Sequence, residues 1–202
     1  MQFIDIHTHH TSEEAFCIVN KMPSSNDFNV PYSIGIHPWY IQKKKTAQDL
    51  LFVEERVQDK NCYAIGECGL DKLTDANFID QIVVFKKQIE FSEKYQKPLI
   101  IHCVKSFQEV IQLKKELKPT VPWIIHGFNK HTQVAESLLK NDLFLSFGKA
   151  LLTSNKLQDT FSQIPLDKIF LETDDSKESI ETIYQKVATI KKLEIKELQN
   201  II

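Results

Sequence analysis

Arginine is almost missing from this sequence: Arg56 stands alone among 25 basic residues. Wherever the chain grips an anion it must therefore use lysine ammonium groups or backbone N–H rather than a bidentate guanidinium fork. Cysteine is sparse as well. Cys17, Cys62, Cys68 and Cys103 form no CxxC pair and sit within apolar runs, which reads as four buried free thiols. No apolar stretch reaches the length of a membrane span, and Met1-Gln2-Phe3 opens without a basic segment or a long apolar run. The expectation is a cytoplasmic protein with no membrane partner. Internal repeats, low-complexity tracts and linkers are absent too, and nothing marks an obligate protein partner. A formal charge of −2 excludes a generally cationic nucleic-acid coat, while leaving local basic loops open. What is present is 202 residues, 42% hydrophobic and 26% charged, enough for one soluble globular domain over residues 1–202.

Short apolar, β-branched runs alternate with longer stretches of helical period, the pattern of a parallel sheet covered by helices. Strands are expected near 3–7, 15–21, 32–36, 62–66, 99–102, 123–126, 143–147 and 168–172, about the number that closes a (β/α)8 TIM barrel. Helices are clearest over 77–95, where Phe78, Ile82, Phe85 and Ile89 form one stripe, and over 132–140; others are expected over 46–58, 107–117, 154–163 and 179–192. Between His10 and Pro31 there is no room for the usual helices, and Pro23 to Asp27 reads as a turn. The expected fold is thus α/β, a distorted barrel with reduced helix cover near its N-terminal quarter.

In such a barrel the active site forms at the C-terminal ends of the strands. Ligand-type side chains gather there. In the strand Phe3-Ile4-Asp5-Ile6-His7-Thr8-His9, alternation places Asp5, His7 and His9 on one face, and two imidazoles on one rigid element are half of a metal site. Glu67, His102, His126 and Asp174 each follow a further apolar run. Any one of these has a plain reading as a loop cap, but six at equivalent strand ends form the pattern of a metallohydrolase mouth.

These residues resemble the TatD family of metal-dependent hydrolases, within the amidohydrolase superfamily. The resemblance rests on Asp-x-His-x-His at the start, Gly35-Ile36-His37-Pro38, Gly66-Glu67-Cys68-Gly69-Leu70-Asp71, Ile101-His102, Ile125-His126-Gly127-Phe128 and Leu171-Glu172-Thr173-Asp174. It implies a two-metal site in which His7, His9 and Asp174 hold one ion, His102 and His126 hold the other, and Glu67 bridges them. Two divalent ions sharing a carboxylate would lower the pKa of a bound water and neutralise phosphodiester oxygens, and Asp174 would take the proton. The ligand types suit zinc, manganese or magnesium alike. Asp5 is assigned a supporting role, hydrogen-bonding within the site or the barrel floor, with a strand-end structural acid as the equal alternative. Asp71 orients a ligand, contacts substrate or simply forms the turn after Gly69-Leu70.

The sequence departs from the family after Asp174. The family's basic, proline-containing segment is replaced by Asp175-Ser176-Lys177-Glu178. Loop lysines at 72, 105, 130, 149 and 177 are the available replacement, with Lys105 and Lys149 the preferred phosphate contacts. His37 is a further substrate contact, with Trp39 as a stacking face for a base; a packed Trp beside a hydrogen-bonding His is the alternative. The leading functional expectation is a hydrolase of phosphodiester bonds, a TatD-like deoxyribonuclease acting on a DNA end, a short oligonucleotide or a small nucleotide-like diester. The alternatives are hydrolysis of a small amide, ester, lactone or phosphotriester, and a non-catalytic metal- or nucleic-acid-binding protein.

Overall fold

The computed structural model describes residues 2–201, so the expected domain's end residues Met1 and Ile202 lie outside the described residues. Eight strands follow chain order in one sheet: β1 (Phe3–Thr8), β2 (Ala15–Lys21), β3 (Tyr32–Ile34), β4 (Cys62–Asp71), β5 (Leu99–Val104), β6 (Trp123–Ile125), β7 (Phe144–Phe147) and β8 (Ile169–Leu171). That is the strand sequence of a (β/α)8 barrel. From β3 onward each strand is followed by helix: α1 (Thr46–Arg56), α2 (Phe78–Tyr95), α3 (Phe107–Leu117), α4 (Thr132–Lys140), the pair α5 (Ala150–Thr153) and α6 (Asn155–Ser162), then α7 (Ile180–Lys191) and α8 (Ile195–Ile201). No helix follows β1 or β2, so the thin cover expected of the N-terminal quarter is present. Among the described residues no helix is long and apolar enough to cross a membrane.

The chain divides into two compact units, one of residues 1–19 with 126–202 and the other of residues 20–125. In the first, β1 pairs in parallel with β2 from Phe3↔Ala15 to Asp5↔Cys17, and Thr8 bridges Asp174 just beyond β8. Helix α7 starts at Ser179, whose hydroxyl accepts from the Thr182 N–H, satisfying one of the donors that a helix start leaves open. Its period of 3.6 then puts Ile180, Ile183, Tyr184 and Val187 on one buried face. Tyr184 packs its ring 5.0 Å from that of Phe3 and donates its hydroxyl to the Ile4 carbonyl at 3.3 Å, tying the helix to β1.

In the second unit, β4 lies between β3 and β5 and pairs in parallel with both. Helix α2 begins at Asn77, whose side chain accepts from the N–H of Ile79 and Asp80, and ends at Gln96 in the left-handed region. It buries Val84, Phe85 and Ile89, each contributing about 1.5–3 kcal/mol by leaving water. Gln81 and Gln88 are buried on the same face.

Only β2 keeps both expected limits; the other strands shift by one residue or more, and the ends of β3 and β4 bear most on the site. β3 ends at Ile34 rather than Ile36, because the Ile36 N–H and C=O bond to the Gln88 side chain instead of continuing the strand. β4 runs past Gly66 to Asp71, through a register shift between Ile65 and Cys68, so Glu67 lies inside the strand rather than after it. Such a bulge re-aims a side chain without ending the strand. All four cysteines are buried and free of disulfides.

Candidate metal centre

The first unit gathers one set of ligand-type side chains. β1 delivers His7, fully buried, with His9 two residues on, and the Asp174 N–H donates to the His7 carbonyl at 2.9 Å. Asp174 has φ of +55°, which turns its carboxylate toward the imidazoles; Oδ1 stands 3.6 Å from His7 Nε2 and 3.5 Å from His9 Nε2. His126, just after β6, sets its ring 4.4 Å from that of His7. One ligand atom from each of His7, His126 and Asp174 lies within 4.8 Å of the others. Burial alone would raise the Asp174 pKa, but hydrogen bonds from His7 and His9 and the charge of His7 and His126 outweigh it and hold the carboxyl far below its ordinary range.

Asp5 buckles this cluster together. Its carboxylate accepts from Thr173 N at 3.0 Å and Thr173 Oγ1 at 2.6 Å, fixing the residue before Asp174 to the strand that carries His7. Burial pushes the Asp5 pKa up to about 6, against the opposing Thr173 hydrogen bonds and with the Glu172 charge adding to the rise. The supporting role expected of Asp5 thus has its partners. Glu172 was not anticipated. It is 1% exposed, accepts from the Gly127 N–H at 2.7 Å and stands 3.5 Å from His126 Nδ1, while its Oε2 has no hydrogen-bond partner. A carboxylate on the far nitrogen of a ligating imidazole fixes the ring and its tautomer.

The second unit gathers the other set. Glu67 Oε1 lies 3.2 Å from His37 Nε2 and 2.9 Å from His102 Nδ1. These three residues also bring one ligand atom each within 4.8 Å of one another. On its other edge His102 Nε2 meets Asp71 Oδ2 at 3.1 Å. A neutral imidazole has one N–H, and giving it to Asp71 leaves the Nδ1 lone pair facing the Glu67 side. Gly69 makes this approach possible: with φ of +139°, a Cβ built on it would fall 2.1 Å from the His102 carbonyl oxygen. Asn20, at the end of β2, accepts from the Glu67 N–H at 3.0 Å and faces Oε2 at 3.5 Å. Its position, a polar residue at the exit of the apolar run 15–19, is the same signal that pointed to the other strand-end residues.

The residues expected as substrate contacts fall out differently. His37 and Asp71 belong to the second cluster, His37 beside Glu67 and Asp71 behind His102. Lys149 is engaged by Asp175 at 2.5 Å and Lys72 is paired with Glu109, whereas Lys105 is exposed, with φ of +51°. His126 stands against His7 and Asp174, although the motif order groups it with His102. Imidazole nitrogens and carboxylate oxygens that converge in this way form a donor set that fits a divalent ion in either cluster; in the second, the Trp39 N–H on His37 Nδ1 turns the His37 Nε2–H to Glu67, so the ligand atoms there are those of Glu67 and His102 Nδ1.

Comparison with known proteins follows the same line. The profile of the family described as TatD related DNase matches residues 3–202. The chain is 33% identical over 169 residues to an uncharacterized metal-dependent hydrolase of Buchnera aphidicola, covering 81% of this chain and 62% of that protein. It is 32% identical over 162 residues to YabD of Bacillus subtilis, of the same description, covering 78% and 63%. It therefore spans less than two thirds of the length of these relatives. Its backbone resembles that of YjjV, a TatD homologue from Escherichia coli, with a TM-score of 0.84 at 18% identity over 98% of this chain and 94% of that one. A TatD family hydrolase from Entamoeba histolytica gives a TM-score of 0.79 at 20% identity, with the same coverage. At such identities the likeness is one of fold.

Proposed function

The chain belongs to the TatD family, and from that premise we propose that it is a metal-dependent hydrolase of phosphodiester bonds, acting on the end of a short single strand of DNA. The observation that carries this reading is the convergence of histidine and carboxylate atoms, His7, His126 and Asp174 in one unit and His37, Glu67 and His102 in the other. Each cluster holds one divalent ion in this reading, with His9 completing the first. When bound, a divalent ion in either cluster would supply the polarisation of a phosphodiester and the acidification of water. Asp174 accepts the proton of the attacking water. Glu67, Asn20 and His37 hold the second ligand set in place, and Glu172 and Asp71 fix the rings of His126 and His102.

The pairing of Lys149 with Asp175 and of Lys72 with Glu109 supports a substrate with few phosphates, since these ammonium groups are already engaged. Binding should accordingly respond weakly to salt, with a slope of about one or two phosphates rather than the many of a duplex-tracking protein. The test is cleavage of an end-labelled single-stranded oligonucleotide by metal-stripped protein resupplied with magnesium, manganese or zinc. Trimming that depends on metal and is abolished in Asp174→Asn and Glu67→Gln is the expected result. Folded, metal-loaded protein that leaves DNA intact yet hydrolyses a small ester or lactone would replace this reading with the small-molecule one.

A further inference from the structure

Trp39 is placed as no core tryptophan would be. It is 56% exposed, and the next residue, Tyr40, is 53% exposed, on the 3₁₀ turn Pro38–Tyr40 that follows His37 directly. A large aromatic surface left open beside a polar site is available to stack on a ligand. The indole is nevertheless fixed. Its Nε1–H donates to Asp71 Oδ2 at 2.7 Å, and its backbone N–H donates to His37 Nδ1 at 3.1 Å. Asp71 is itself immobilised: its Oδ1 accepts from the Leu73 N–H, and its backbone N–H and C=O both bond to the buried Gln81 amide. Edge-on contacts join the indole to His37 at 4.7 Å and to His102 at 5.7 Å between ring centres. One edge of the ring therefore serves the metal-ligand cluster while much of its surface is open to a ligand.

We propose that Trp39 is the nucleobase platform of this site: it stacks the base of the terminal nucleotide of a DNA strand whose phosphate is engaged at the adjoining His37, Glu67 and His102. This rests on the phosphodiesterase reading and names the group its substrate must carry. A rigid, prepositioned aromatic loses little freedom on binding, which favours a stacked base over a flexible aliphatic group. The cavity of about 250 Å³ on the Tyr40 side of His37 is lined by Tyr40, Lys45 and Met22 and does not include Trp39. At 56% exposed Trp39 is an open face rather than an enclosed slot, so every base is accepted with little preference, since each presents a π-face.

The molecule carries its own probe. Trp123, the other tryptophan, is fully buried, so fluorescence quenched by a small solute reports Trp39. In the magnesium-loaded protein, deoxyadenosine monophosphate should quench the emission saturably, deoxyribose 5-phosphate should not, and Trp39→Phe should abolish the effect. Equal quenching by both, or none by either, overturns the proposal, and this holds even if no DNA is cleaved and the phosphodiesterase reading has failed. A kinetic arm separates stacking from support of Asp71. With an oligonucleotide ending in a normal nucleotide or in an abasic one, the wild-type KM should differ by roughly ten- to a hundredfold. Trp39→Phe, which keeps the ring face and loses the N–H, should retain most of that difference, and Trp39→Leu should erase it. A Trp39→Leu variant equally impaired on both substrates would show that the indole only positions Asp71.

Discussion

The candidate ligands are held by residues outside the two ligand sets. Asp71 is the clearest case, a strand-end carboxylate receiving three donors, Trp39 Nε1, Leu73 N and His102 Nε2. Burial works to raise its pKa, and hydrogen bonds from Trp39, Leu73 and His102 overcome it and keep it ionised. Asp71→Asn keeps one acceptor oxygen and replaces the other with an amide donor, so at least one of the three N–H groups loses its acceptor and the hold on the His102 ring weakens. Metal affinity, measured by competition with a chelating dye, is expected to fall about 10- to 100-fold while the fold survives; unchanged affinity would reduce Asp71 to a turn-forming residue. The candidate ligands themselves were legible in the sequence, because each follows a short apolar run. Their supports were less so. Glu172 sits beside Asp174 in a motif that draws attention to Asp174, and its hydrogen bond to Gly127 crosses 45 positions that no local pattern connects.

At the scale of elements, α2 shows what periodicity reveals and what it hides. Its apolar stripe marks the helix and its buried face, yet Gln81 and Gln88 interrupt that stripe and look like surface residues. They are seven positions apart, two turns of helix, and so stand on one line facing the sheet. Gln81 clamps the backbone of Asp71, and Gln88 clamps that of Ile36, one residue before His37. One helix thus sets the backbone at two members of the second cluster. Gln88→Ala removes both bonds to Ile36 and leaves a buried N–H and C=O unpaired, at about 1–3 kcal/mol for each group. The urea midpoint should drop with the slope unchanged, whereas Glu90→Ala on the exposed face should shift stability by no more than about 0.5 kcal/mol.

For the whole molecule, the eight apolar runs and their helical spacers made the fold class readable, down to the missing helices after β1 and β2. The meeting of β1 with the segment after β8, where Thr8 bridges Asp174, was implied by the resemblance that grouped His7, His9 and Asp174, whereas no local signal in either segment shows it. A protein with convergent ligand clusters should be stabilised by filling them. At a free-ion concentration of about 100 Kd, each site occupied only in the folded state adds about 2.7 kcal/mol. For a chain of this size that corresponds to a rise in Tm of about 5–10 °C per ion. The rise should appear in a thermal melt with and without manganese, and Glu67→Gln should diminish it; a Tm indifferent to metal would argue against the clusters as binding sites.

The four buried thiols carry a consequence of another kind. Burial pushes the Cys62 pKa up to about 12, with the nearby Lys97 charge opposing it, and raises those of Cys68 and Cys17 as well, so the reactive thiolate is scarce in the closed molecule. Alkylation of a native thiol then waits for the surrounding structure to open, and the labelling rate becomes a clock for breathing motions. Cys17 lies in the unit of residues 1–19 with 126–202, and Cys62, Cys68 and Cys103 lie in the other. Each half of the protein therefore carries its own stopwatch, with one of the thiols in the second half, Cys68, directly adjoining the carboxylate-bearing Glu67.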